Sequence, residues 1–134
     1  VDDVVEVTDT VEFQAEFGAL APGDQRVFHV AGALPGMGSY SLIGAEIAII
    51  GDADAELMGG FTNLFFIDPD ALMYVANVRI SDGANRAFNN AGGLWLDDVD
   101  VSSFTVGVMS SGELHLRRSR LTAEPRAANG LILS

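Results

Sequence analysis

The chain contains no cysteine and no lysine, a single tryptophan and only four prolines. Without cysteine there can be no disulfide, zinc–thiolate site or thiol nucleophile. Without lysine, its seven basic residues are all arginine, and they face nineteen acids for a net charge of −12. Phosphate contact needs a positive footprint, so this balance excludes general nucleic-acid binding. It argues equally against an anionic membrane surface. No run of about 18 apolar residues exists, so neither a transmembrane helix nor membrane insertion is expected. The chain opens Val1-Asp2-Asp3, with neither an initiator Met nor a basic leader. We read that as a processed or excised start, with an extracellular or virion setting favoured.

A length of 134 residues with 49% hydrophobic side chains suffices for one domain with an apolar core. The dominant pattern has a period of two. From Val5 to Phe17, Val5, Val7, Val11, Phe13, Ala15 and Phe17 share one face, and Glu6, Thr8, Glu12, Gln14 and Glu16 share the other. This predicts a long first strand with one wet face, with a bulge or a break between two shorter strands at Asp9-Thr10. Ala21-Pro22-Gly23-Asp24 has the chemistry of a type II turn. Further strands are predicted over 25–30, 41–50, 61–67, 72–80, 94–96, 99–108 and 113–117. Ser110-Ser111-Gly112 reads as the hairpin joining the last two. One-turn helical candidates fall at 54–58 and 70–72, and we find no internal repeat.

About eight short strands at regular spacing, with turn signals between them, predict an all-β antiparallel sandwich of jelly-roll type. A closed β-barrel is the alternative. The domain is expected to span 1–120. Residues 121–134 then form a C-terminal arm docked on the same or a neighbouring subunit.

Motifs for chemistry are sparse. There is no Gly-x-Ser-x-Gly elbow, and His29 and His115 fall singly in predicted strands. Gly36-Met37-Gly38 lacks the third glycine of a dinucleotide loop. Asp52, Asp54 and Glu56 alternate like the first ligands of a calcium loop, the one cofactor the residues suggest. Leu57 and Asn63 stand where an EF-hand needs Gly and Glu, and Asp also populates turns by accepting local amide bonds. Asp97, Asp98 and Asp100 form a second acidic cluster, and Asp68 and Asp70 flank Pro69. Trp95 is either a carbohydrate platform or a core plug, and its apolar neighbours Leu94 and Leu96 favour the core.

Charge is distributed asymmetrically. Residues 1–116 hold three Arg against eighteen acids, whereas 117–134 hold Arg117, Arg118, Arg120 and Arg126 against Glu124 alone. With Leu131 and Leu133, those arginines are the predicted oligomer interface, and the acidic face of the first strand is a natural landing surface. The function these features favour is a non-enzymatic structural or assembly protein that self-associates. The alternatives are a carbohydrate- or calcium-binding module, and a small barrel enzyme or ligand carrier.

Overall fold

The computed structural model describes residues 3–60, 62–83, 85–104, 106–123 and 129–133. β1 (Asp3–Val7) leads into α1 (Thr10–Gly18), and the rest of the chain winds into a β-solenoid of about five turns. The first coil holds β2 (Gln25–Val30), β3 (Ala33–Met37) and β4 (Tyr40–Leu42), and the second β5 (Glu46–Gly51), β6 (Glu56–Gly59) and β7 (Asn63–Ile67). β8 (Leu72–Ser81) and β9 (Arg86–Asn90) make the third, β10 (Gly93–Phe104) and β11 (Val106–Ser110) the fourth. β12 (Glu113–Arg117), β13 (Arg120–Ala123) and β14 (Asn129–Leu133) complete the last.

Every strand pairing is parallel. One face runs β1-β2-β5-β8-β10-β12, and another β4-β7-β9-β11-β14. The remaining face stacks β3, β6, the second halves of β8 and β10, and β13.

This overturns the antiparallel sandwich, the jelly roll and the barrel. The reason lies in the turns. A hairpin satisfies its amides across its own turn, but here they bond to the coil beneath. Ser111 and Gly112 N–H both donate to Asn90 O, and Glu113 N–H donates to Gly92 O. Ser110-Ser111-Gly112 is therefore a corner between two faces, and β11 and β12 do not pair. Gly112 fits because a Cβ there would collide with the carbonyl of Gly92. At the first corner, Asn77, Asp98 and Arg118 adopt left-handed φ values of 59°, 58° and 51°. Asn and Asp tolerate that region better than other residues with side chains.

The expected strand from Val5 to Phe17 is also corrected, since its second half is α1. Asp9 caps the helix, its Oδ1 accepting from Glu12 N–H at 2.8 Å. Glu12 Oε1 reaches back to accept from Thr8 N–H at 3.0 Å and Thr8 Oγ1 at 2.7 Å, a relative of the capping box that engages the residue before the cap. Those bonds hold the Glu12 carboxyl below its ordinary pKa. Phe13 and Phe17, four residues apart, lie on the same face of either a helix or a strand, so alternation alone could not decide. The helical candidates at 54–58 and 70–72 are instead a turn entering β6 and a tight turn entering β8. The strand expected over 41–50 is split by a corner into β4 and β5. The turn at Ala21–Asp24 forms as read, with Asp24 N–H on Ala21 O at 3.0 Å and Gly23 at φ 91°.

The core is a set of stacked rows. Phe28, Ile49, Val75 and Leu96 are successive partners on the first face, all buried. Leu34, Leu57, Ile80 and Val101 form a second row, and Tyr40, Phe65, Phe88 and Val108 a third. α1 closes the N-terminal end. Phe13 is fully buried, with its ring 5.3 Å from Phe28, 5.1 Å from Tyr40 and 6.1 Å from Phe65. Buried Asn90 satisfies its amide by donating to Ser110 Oγ and Glu113 O and accepting from Gly92 N–H.

Candidate functional site

The outer surface of the first face collects the most chemistry. Alternate residues of each strand point outward, and parallel pairing aligns them into rows along the solenoid axis. The central row is Val4, Val27, Ala48, Tyr74, Trp95 and His115. It begins with small aliphatic side chains and ends with three aromatic ones. On one flank lie Gln25, Glu46, Leu72, Gly93 and Glu113; on the other, Glu6, His29, Ile50, Ala76, Asp97 and Arg117.

Trp95 is half-buried on this outer surface. In a strand, apolar neighbours on both sides point to the opposite face, so buried Leu94 and Leu96 place the indole outward. The reading of Trp95 as a core plug is corrected accordingly. Its ring stacks on His115, with centroids 5.0 Å apart and planes 8° apart. That separation matches the spacing of adjacent strands, about 4.8 Å, so the two rings are stacked along the axis. The six-membered ring lies over Gly93, where a Cβ would stand 2.7 Å from Trp95 Cζ3 and 2.5 Å from Leu72 Cδ2.

Two shallow grooves border the indole. One, of about 330 Å³, lies over the small side chains Val27 and Ala48, with Gln25, Glu46, Leu72 and Tyr74 around it. The other, of about 400 Å³, lies among Tyr74, Asp97, His115 and Arg117. Polar groups here are already oriented. Gln25 Nε2 donates to Glu46 Oε2 at 3.0 Å, and His115 Nε2 lies 2.8 Å from Glu113 Oε2. Arg118 donates to Asp97 Oδ1 through Nη2 at 2.8 Å and Nε at 3.1 Å, and Tyr74 OH reaches Asp97 Oδ2 at 3.4 Å. The Arg118 guanidinium holds the Asp97 carboxyl below its ordinary pKa, and Asp97 raises that of Arg118 in return. Asp97 is thus a fixed, ionised acceptor beside the aromatic row.

The calcium candidates are dispersed. Asp52 and Asp54 are exposed in the turn before β6, and Asp52 Oδ1 lies 2.6 Å from His29 Nε2. Glu56 accepts from Ser81 Oγ at 2.6 Å and lies 3.6 Å from Arg79. The first corner does bring Asp52 together with Asp98 and Asp100 around a pocket of about 450 Å³ that Arg79 also lines. Among the described residues, no group of three His, Asp or Glu is placed to hold a metal ion.

His29 sits between two carboxylates. Its Nδ1 lies 2.8 Å from Glu6 Oε1, and the contact to Asp52 completes a clamp across three strand levels. Glu6 first and Asp52 second raise the His29 pKa above its ordinary value.

Of the predicted interface residues, Arg117, Arg118 and Arg120 are exposed on the last coil. Leu131 and Leu133 lie on β14, opposite Val108 and Ser110 in backbone register. Arg126 falls outside the described residues. The acidic first strand and the arginines occupy opposite ends of the face, because four strands intervene between β1 and β12. Five strand spacings make that about 24 Å, so Arg117, Arg118 and Arg120 do not lie on the first strand of their own chain.

Among the described residues, no helix is long and apolar enough to cross a membrane. Comparison of the chain with protein-family models, curated proteins and solved structures finds no match.

Proposed function

We propose that this protein is a carbohydrate-binding module whose site is the flat outer surface of its first face, with Trp95 as anchor. The observation that carries the reading is the in-register row Tyr74–Trp95–His115 on the outer surface, bordered by two grooves and edged by oriented polar groups. Exposed aromatic surface offers apolar contact to the C–H face of a sugar ring, while Gln25, Glu46, Asp97 and Arg117 offer partners to hydroxyls. The net charge of −12 and the three carboxylates Glu46, Asp97 and Glu113 disfavour anionic glycans, so the ligand class is a neutral polysaccharide. Its chain runs along the row.

Trp95 is the only tryptophan, so its fluorescence reports the site directly. Binding is measured by retardation in gels containing neutral glucans, mannans or xylans, and by titration of Trp emission with their oligosaccharides. At least one polymer retards the wild type and shifts its emission. Trp95→Ala and Tyr74→Ala abolish retardation while leaving the far-ultraviolet circular dichroism intact. Equal retardation of wild type and Trp95→Ala, or no retardation by any neutral polymer, overturns the proposal.

A further inference from the structure

We infer that copies of this chain associate head to tail along the solenoid axis, with β12 of one copy continuing the first face onto β1 of the next. The inference does not rest on the carbohydrate reading: Arg117 borders both surfaces, but association is read by sedimentation with no polysaccharide present.

Among the described residues, both ends present strand edges of the same sheets in the same direction. β1 and β12 terminate the first face, and β4 and β14 terminate the five-stranded sheet. An edge strand offers backbone donors and acceptors with no sheet partner, which is a template for another chain. Because every pairing is parallel, a second copy moved along the axis offers its β1 to β12 in the orientation already used between coils. A copy turned end over end would offer an antiparallel partner.

The rows then continue across the junction. The flanking outer row begins at Glu6 and ends at Arg117, so Arg117 of one copy meets Glu6 of the next. The inner row begins at Val5 and ends at Leu116, a core position left 41% exposed on the last coil. At the other end, α1 covers the interior and itself leaves Val11 74% exposed. Among the described residues, the last coil thus leaves an interior-row leucine uncovered and the capping helix an outward valine.

Charge selects the direction. The last coil exposes Arg117 and Arg120, which make no ion pair among the described residues. The first end exposes Glu6, Asp9 and Glu12, with Glu16 beside them. Tail-to-tail contact sets arginine against arginine, and head-to-tail contact sets arginine against glutamate. A head-to-tail contact displaced along the axis is heterologous and leaves a free end on each copy, so the product is a filament and not a dimer.

Sedimentation velocity of the 134-residue chain over a concentration series at low salt tests this. The weight-average mass of the wild type rises continuously past that of a dimer, and added salt lowers it. Arg117→Glu shifts the association to concentrations more than about tenfold higher. Glu6→Arg does the same, and an equimolar mixture of the two variants recovers association, because each supplies the end the other lacks. A second measurement does not depend on the Glu6→Arg variant folding well. The chain has no cysteine, so the double variant Glu6→Cys/Arg117→Cys can form only introduced disulfides. At about 24 Å apart within one chain, those two sites cannot bridge internally. Mild oxidation yields a ladder of covalent oligomers, whereas Arg117→Cys alone stops at a dimer. A wild type that stays monomeric throughout, or an assembly that stops at a dimer, overturns the inference. So does a double-cysteine variant that yields no species beyond a dimer.

Discussion

Replacing Phe13 by alanine isolates the contribution of the N-terminal cap. The ring is fully buried and sits 5.7 Å from Phe17, 5.3 Å from Phe28, 5.1 Å from Tyr40 and 6.1 Å from Phe65. Truncating a buried Phe to Ala costs about 3–5 kcal/mol. Aromatic pairs contribute about 0.5–1.5 kcal/mol each beyond their area, which places this site toward the upper part of that range. The loss saturates, however. α1 has nine residues, too few to persist once undocked, so the cost cannot exceed the docking energy of the helix. Phe13→Leu keeps most of the buried apolar volume but gives up the ring contacts, so it costs less than Phe13→Ala without being neutral.

The assay is urea unfolding combined with amide hydrogen exchange. Coils touch only their neighbours, so damage at one end spreads weakly. In Phe13→Ala, α1 and β2 lose protection while β9 to β12 keep theirs. Trp95, on the fourth coil, provides a second probe remote from the cap. Its fluorescence transition falls at higher urea than the transition seen by circular dichroism, since the first coil melts early. If Phe13→Ala costs less than about 1 kcal/mol and α1 stays protected, the helix is not the cap we describe. Uniform loss of protection along the chain would refute the nearest-neighbour reasoning instead.

Two further outcomes follow from the outer face. Gly93→Ala forces the indole outward, because the new Cβ stands 2.7 Å from Trp95 Cζ3 and 2.5 Å from Leu72 Cδ2, both yielding side-chain atoms. The emission of Trp95 shifts to the red and polysaccharide retardation weakens, with stability changed by about 1 kcal/mol or less; unaltered emission would show that Gly93 does not position the ring. His29 has a folded-state pKa raised by Glu6 and Asp52, so its clamp is fully stabilising below the unfolded value of about 6.5. That contribution is lost as pH rises through the raised folded value. Exchange protection of β1 therefore falls across that window in the wild type and not in His29→Gln, and an NMR titration of the imidazole with a midpoint at or below 6.5 would contradict the clamp.

Alternation located most of the strands but could not orient them, because parallel and antiparallel strands bury alternate residues equally. The repeat that distinguishes a solenoid is present as a pattern of character, not identity. Met73, Leu94 and Leu114 are successive partners, as are Val75, Leu96 and Leu116, and Ile80, Val101 and Leu121. Asn77, Asp98 and Arg118 mark the same left-handed corner. No residue type is kept through such a set, and the first two coils place their corners at different intervals, so the period blurs. Two signals were readable. The Asp9-x-x-Glu12 spacing is a helix start, and it identifies α1 despite the alternation around it. Leu94 and Leu96 beside Trp95 argue for an outward indole once the segment is taken as a strand. The pairing of Trp95 with His115 and Tyr74 was not readable, because it depends on a register of coils that alternation does not encode.

The solenoid and its outer row are two consequences of one geometric fact. When each coil returns the chain to the same face one strand spacing further on, residues far apart in sequence become neighbours at about 4.8 Å. Tyr74, Trp95 and His115 come from three coils and nonetheless form a continuous stripe. A stripe built this way has the periodicity of the backbone, so the ligand that uses all of it must extend along the axis as well. A compact ligand would engage one level and leave the rest without a role. The same regularity imposes a cost at the ends, where the rows stop with their last members uncovered. α1 resolves this at the first end by placing Phe13 and Phe17 over the interior. Among the described residues no equivalent helix stands over Leu116 and the edge of β12, and the regularity that builds the stripe leaves that edge in register for another copy.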